Sequence, residues 1–402
     1  MLKLDTPLKN LTVEDARARM LGAAVRMSTY SLALGEADGE TLAEDIQAVR
    51  DQPPFAASAM DGWAVREADA RQGAVLAIAG ESAAGRGFDG VLQPGQAVRI
   101  FTGAAIPAGA ERVIVQEEAV RDGDTVRLTQ PPSAGRNIRA AGGDFRAGAA
   151  LLSAGLRLDP WRLSLAAAAG RADVQVSARP RIAILATGEE LVSPGGQPGP
   201  FQIFESGTAG LVPMIARWGG IGHRLAPARD DEAAIAAAVR SAHADLIVTI
   251  GGASVGDYDL VKPALKRLGL ELLVETINVR PGKPTWFGTL GDGRRVLGLP
   301  GNPASAFVCA ELFLKPLIAA MSGGLAEPMM EPAILAEPLA ANGPREHWMR
   351  AILGPDGVWA LPDQDSSLVT VFAAADALLR RRANAPAVEA GALVEILRLN
   401  RR

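Results

Sequence analysis

Two rhythms of apolar positions divide this chain. Between residues 51 and 152 the apolar runs are short (75–79, 97–101, 113–116, 125–128) and turn signals separate them at close intervals, which predicts a small β-rich insert. From residue 181 apolar runs alternate with longer amphipathic stretches. The pattern predicts strands at 182–186, 246–250 and 296–299, an extended pair at 272–279 and 284–289, and helices over 208–217, 231–243, from 260, and 303–321. Such alternation implies an open, mostly parallel α/β sheet, whose ligands sit outside the carboxyl ends of the strands.

The insert is flanked by helical patterns. Residues 12–29 read as an amphipathic helix with Thr12 and Asp15 as a capping box, and 159–169 as its companion, with Asp159 as N-cap, Pro160 in the first turn and Gly170 as the stop. After Gly324 a last β-rich segment predicts strands near 347–353, 358–361, 377–381 and 393–399. The expected fold class is therefore α/β and β multidomain. It comprises a helical linker domain (1–50 and 140–178), an inserted β-rich domain (51–139), an α/β domain (179–325) and a small C-terminal β-barrel (326–402).

Composition narrows the classes of function. Hydrophobic content of 48% with 21% charged residues marks a folded chain. With 41 basic and 45 acidic residues the net charge is −4, so there is no global footprint for nucleic acid. The start MLKLDTPLKN lacks an apolar signal core and no apolar run approaches the roughly 20 residues that span a bilayer, so the expectation is a cytoplasmic protein without a membrane partner. One cysteine, Cys309, excludes internal disulfides and cysteine clusters, and His223, His243 and His347 lack ligand spacing. Any metal site must then be built from oxygens.

Candidate chemistry gathers at the predicted strand ends. The run 246–250 empties into Gly251, Gly252, Ala253, Ser254, Val255, Gly256, Asp257, Tyr258 and Asp259. Its glycines allow close backbone approach to a phosphate, and its two carboxylates make sense if Mg²⁺ lies between protein and phosphate. It is not a P-loop, since no Lys followed by Ser or Thr completes that motif. A second loop carries Thr187, Gly188, Glu189 and Glu190. The third is Pro300, Gly301, Asn302, Pro303, Ala304, Ser305, in which Asn302 is placed to cap a helix starting at Pro303. Arg280 and Lys283 in an RPGKP turn add positive charge suited to an oxyanion. Each loop alone reads equally well as an ordinary tight turn, but their coincidence on one sheet edge points to a site. In the insert, 53–63, 101–110 and 137–144 are too apolar and turn-rich for solvent loops; taken singly they read as buried turns. Trp161, Trp218 and Trp348 read as core or interface residues.

The stretches PPFAASAMDGWAV, TGAAIPAGAERVIVQEE, NIRAAGGDFRAG, ATGEEL, TIGGASVGDYD, RPGKP and GLPGNPASA, in this order, closely resemble the molybdopterin molybdenumtransferase family over nearly the whole chain. The resemblance implies a four-domain homodimer. Its cleft combines the α/β domain of one subunit with the PPF and NIR segments of the other. The implied reaction takes adenylylated molybdopterin and molybdate, with Mg²⁺, to molybdenum cofactor and AMP. Family positions fall on Asp61, Thr102, Asp144, Glu190, Asp230, Asp259, Pro300 and Pro303. On this reading Glu190, Asp257 and Asp259 hold Mg²⁺, and Arg280 and Lys283 bind an oxyanion. Gly251, Gly252, Ser254 and Gly256, with Pro300, Gly301, Asn302, Pro303 and Ser305, hold the pterin phosphate and AMP. Further partners implied are the molybdopterin adenylyltransferase and downstream molybdoenzymes or their chaperones.

Several positions depart from the family pattern. Glu189 stands where Asp is usual and Gly143 where Glu is usual, Asp-Ser-Asn becomes Glu205, Ser206, Gly207, and Gln-Gly-Ser becomes Gln364, Asp365, Ser366. Gly207 removes a side-chain donor and acceptor from beside the expected pterin site. Two rival readings follow: a pterin carrier or scaffold without turnover, and a nucleotide-processing enzyme on the same α/β fold. The insert and the C-terminal segment count against the latter.

Overall fold

The computed structural model describes residues 8–226, 231–251 and 260–399. Its central sheet has six strands in the order Ile221–Arg224, Arg181–Ala186, Leu246–Ile250, Arg295–Leu299, Trp286–Thr289, Glu271–Val274. The first four are parallel and Trp286–Thr289 runs antiparallel to both its neighbours, so the sheet is mixed at one edge. Every residue of Leu246–Ile250 is buried, as a strand covered on both faces requires. Successive side chains serve opposite layers. Ile184 and Val248 join Leu211, Ile215 and the helix from Pro303 in one core, while Leu185 and Ile247 join Ile235, Val239 and Leu265 in another.

The helix Pro303–Met321 runs through the first of these cores. At 19 residues with a mean hydropathy of 1.6 it is long and apolar enough to cross a bilayer, contrary to the sequence reading, yet 83% of that stretch is buried inside the protein. Its middle widens into a π turn at Ala310–Leu314, just before Pro316, which has no N–H to donate to the preceding turn.

The N-terminal helix is Val13–Gly22, shorter than the 12–29 expected. Thr12 does cap it, accepting from the Asp15 N–H at 3.0 Å. It stops because Met27 N–H donates to Met321 O and Thr29–Ala33 forms a strand against Asp173–Ser177. Nor is 159–169 its companion. Val13, Ala16 and Met20 pack into the core around Pro303–Met321, whereas Pro160–Ala168, capped by Asp159, packs on Leu42, Ile46, Leu152 and Val176. The linker region is thus one helix on a three-stranded sheet rather than a helical pair.

The insert is a six-stranded sheet, order Arg112–Val115, Gly62–Val65, Gln96–Ile100, Val75–Ser82, Thr125–Leu128, Ala119–Asp122, with an apolar cluster on each face. The C-terminal sheet runs Val279–Arg280, Glu346–Gly354, Ala377–Arg381, Leu393–Arg398, Met330–Ile334, with Gly357–Ala360 added on Glu346–Gly354. Its ends meet through one isolated bridge, Leu335 with Val358, rather than by the continuous pairing of a closed barrel. Its first strand comes from the α/β segment of the sequence. Trp348 is core at 2% exposure and Trp218 packs partly buried against the core, but Trp161 is 83% exposed.

Candidate active site

Three loops at the carboxyl edge of the parallel strands meet at Gly251. Thr187 N–H donates to Ile250 O, and Gly251 N–H donates to Leu299 O. Gly251 has φ +92° and a Cβ on it would stand 2.7 Å from Thr187 O, so this position requires glycine, and Gly301 lies against its Cα. Glu190 is exposed, and its carboxylate folds over Gly188, where a Cβ would lie 2.5 Å from Oε2. Asp230, Gly252, Ser254, Gly256, Asp257 and Asp259 lie outside the described residues.

Beside this edge opens a cleft of about 830 Å³ between the α/β and C-terminal domains. The sequence-derived residues Arg280, Lys283, Pro300, Gly301, Asn302 and Ser305 line it. Pro303 occupies the first helical turn behind them. Asn302 does not cap that helix with its side chain, as expected; its Nδ2 donates instead to Ser366 Oγ at 2.7 Å, tying the loop to the C-terminal domain. The first-turn N–H groups therefore have no side-chain cap at the cleft, an arrangement that suits an anion.

On the wall opposite, the sequence reading names Gln364, Asp365 and Ser366 only as a departure from the family pattern, and does not name Arg345. Arg345, Gln364, Asp365 and Ser366 line it, because the parallel pairing of Arg280 with His347 brings the C-terminal strand alongside the RPGKP turn; Lys9, Asn10, Glu275 and Thr276 add a further side. Beneath it Arg350 is wholly buried. Its Nη2 donates to Asp365 O at 3.0 Å, while Nε and Nη1 have no hydrogen-bond partner among the described residues. Burial lowers the Arg350 pKa from its ordinary value. Burial, and then the charges of Arg280, Arg350, Arg345 and Arg381, push the His347 ring down to about 4, so it is neutral at pH 7. On a chain of net charge −4 this concentration of guanidinium and ammonium groups favours an oxyanion and disfavours a cation.

The three suggestive segments of the insert also come together. Gly103 N–H donates to Ser58 O, Ala59 N–H to Asn137 O, and Ile106 N–H to Ala56 O. At their junction Thr102 donates to Asp61 Oδ1 from both its N–H and its hydroxyl, each at 2.7 Å. These two bonds, the backbone one first, hold the Asp61 carboxyl below its usual range. Asp144 is exposed and its N–H donates to Gln52 O at 2.9 Å. No residue of the insert lines the cleft. One chain thus presents the pair of Asp61 and Thr102 on the insert, with Asp144 exposed on the neighbouring 137–144 segment, apart from the cationic cleft on the α/β and C-terminal domains.

Three of the departures from the family pattern, Glu205, Gly207 and Gly143, sit in defined local surroundings. Glu205 is buried, and its carboxylate accepts from the Thr208 N–H at 2.7 Å and from the Thr208 hydroxyl, with Arg224 3.6 Å away; it serves as the cap of the helix Gly207–Arg217. A Cβ on Gly207 would stand 3.1 Å from Ile250 Cδ1, so a side chain there needs the tip of Ile250 to give way slightly. At Gly143 a Cβ would stand 3.0 Å from Ala140 O.

With that geometry in hand, comparison with known proteins is specific. Residues 11–170 match the MoeA N-terminal region (domain I and II), 183–320 the probable molybdopterin binding domain, and 332–399 the MoeA C-terminal region (domain IV). The chain is 37% identical over 317 residues to a molybdopterin molybdenumtransferase of Haemophilus influenzae, covering 78% of each. It is 34% identical over 336 residues to one from a Nostoc species, covering 81% of this chain and 77% of the relative. The crystal structure of a molybdopterin biosynthesis moeA protein from Pyrococcus horikoshii OT3 superposes with a TM-score of 0.84 at 26% identity, over 97% of this chain and 100% of that one. On sequence, domain order and fold together, the chain belongs to the molybdopterin molybdenumtransferase family.

Proposed function

We propose that this protein transfers molybdenum from molybdate to adenylylated molybdopterin and releases AMP, acting in the cytoplasm on pterin delivered by an adenylyltransferase and passing the cofactor to downstream molybdoenzymes or their chaperones. The observation that carries the reading is the cationic cleft opening beside the point where three glycine-containing loops meet. Arg280, Lys283 and Arg345 bind the oxyanion there. The backbone around Gly251 and Gly301 and the start of the helix at Pro303 receive phosphate. Holding two anionic reactants against one preorganised wall removes much of the orientational cost of bringing them together.

The insert cluster completes the site from a second copy of the chain. Asp61, kept ionised by Thr102, and Asp144 then orient the reactants from across a two-fold interface. Mg²⁺ belongs to the proposal as an expectation. Among the described residues no group of three His, Cys, Asp or Glu side chains is placed to hold a metal, and Glu190 is the described carboxylate of the expected set. Bound there with Asp257 and Asp259, the ion would polarise the phosphoanhydride. Turnover is expected to disappear in excess chelator and return with added Mg²⁺. Undiminished turnover without the ion would remove it from the reading.

The deciding experiment measures AMP release from adenylylated molybdopterin with molybdate, for the parent and for Asp259→Asn. The parent is expected to release AMP, and the variant to lose rate sharply while keeping its affinity for the adenylylated pterin, the signature of an interaction made chiefly in the transition state. A parent that binds the pterin but never releases AMP would be a carrier, and the proposal would fail.

A further inference from the structure

Behind the RPGKP turn lies a buried polar contact that has no part in the chemistry described above. Gly282 to Thr285 form a β-turn closed by the Thr285 N–H donating to Gly282 O at 3.0 Å, with Lys283 at its corner. The Thr285 side chain repeats that bond, its hydroxyl donating to the same carbonyl at 2.7 Å. Thr285 Oγ1 also stands 3.1 Å from Sγ of Cys309, on the core helix. Both side chains are fully buried. Gly282 has φ +112°, and a Cβ there would stand 2.1 Å from the sulfur, so the thiol occupies the volume that a side chain would need. Burial pushes that thiol up to about 12, so it is a neutral packing group and not a nucleophile.

From this geometry we propose that Thr285 is a positioning residue: its hydroxyl, backed by Cys309, locks the turn that carries Lys283 just after the strand bearing Arg280 and so fixes the oxyanion-binding wall of the cleft. The proposal rests on the oxyanion reading of that cleft. The backbone has one further tie on this side, Ile277 N–H to Lys283 O at 3.0 Å. A buried carbonyl that loses a hydroxyl partner loosens its turn without touching the ligand. The effect should therefore appear in binding of the anion more than in the rate of the bound complex.

The test compares Thr285→Val, which keeps the volume and removes the hydroxyl, with Thr285→Ser, which keeps the hydroxyl. Calorimetric titration of the full-length protein with inorganic molybdate is expected to show affinity weakened about tenfold in Val, and within about twofold of the parent in Ser. The KM for molybdate should follow the affinity, with kcat changed by less than about threefold. Equal affinity in Val and the parent, or equal loss in Val and Ser, would overturn the proposal, the second result leaving Thr285 a packing residue only. If Val does not fold, Thr285→Ala against Thr285→Ser, which differ only in the hydroxyl, decides on the same criterion. Hydrogen exchange at the Thr285 and Ile277 amides separates this inference from the functional one. Exchange faster in Val than in Ser supports the lock even where the parent neither binds molybdate nor turns over, an outcome that would sink only the proposed function. Unchanged exchange in Val overturns the lock.

Discussion

At the scale of single residues, the C-terminal wall of the cleft stores a pH dependence. The His347 ring takes its proton near pH 4 in the folded chain and near its ordinary 6.5 when unfolded, so between those values the unfolded chain binds more protons. Stability therefore rises with pH through that window and is complete above about pH 6.5; the contribution is up to roughly 3 kcal/mol. His347→Gln, which cannot titrate, is expected to flatten this part of the profile, measured as melting temperature from pH 4.5 to 7.5. An unchanged slope would show that the ring is not the titrating group. The sequence reading saw His347 only as a residue without ligand spacing. Arg345 and Arg350 stand near it along the chain, but Arg280 and Arg381 are brought beside the ring only by strand pairing.

At the scale of elements, the sequence was most legible where one pattern had one physical meaning. The buried run Leu246–Ile250 could only be covered on both faces, and Asp159 with Pro160 marked a helix start. It was least legible where distant partners decided the outcome. The helix expected over 12–29 ended at Gly22, with Thr29 opening a strand against Asp173–Ser177, and Asn302 looked like a cap until Ser366 took its amide. Glu205 shows the same limit, since sequence flagged it as a departure and only the fold reveals it as a buried cap. Glu205→Ala is expected to cost about 1–3 kcal/mol by freeing the Thr208 N–H and hydroxyl, read by urea denaturation. Gly207→Asn, which would restore the family residue, is expected to destabilise by about 1–2 kcal/mol because Ile250 must move. A Gly207→Asn protein as stable as the parent would show that the site relaxes freely.

At the scale of the whole molecule, the loops of the site were legible because glycine and proline mark the places where backbone must turn or approach. The division of the site into two clusters was legible only through the family resemblance, because it depends on where the insert stands relative to the cleft. If two copies combine those clusters, Asp61→Ala and Arg280→Ala are each expected to be inactive alone and, after subunit exchange, to recover about a quarter of parental activity, since each mixed dimer regains one intact site. Sedimentation of the parent should show a two-fold dimer. No recovery from a verified mixed dimer would place both clusters in one chain's site.

The short strand Val279–Arg280 lies in the α/β part of the sequence but pairs with Glu346–His347 in the C-terminal sheet. Cutting the chain near residue 325 would therefore strip that strand of its neighbour and leave its backbone groups as a bare sheet edge, open to pairing with other chains. Exchanging the C-terminal domain between relatives would meet the same obstacle, since a transplanted sheet would arrive without its first strand, and the turn carrying Lys283 would lose the rail that sets its height above the cleft. Grafts that carry residues 276–285 together with 326–399 should fold where grafts cut at the apparent boundary aggregate.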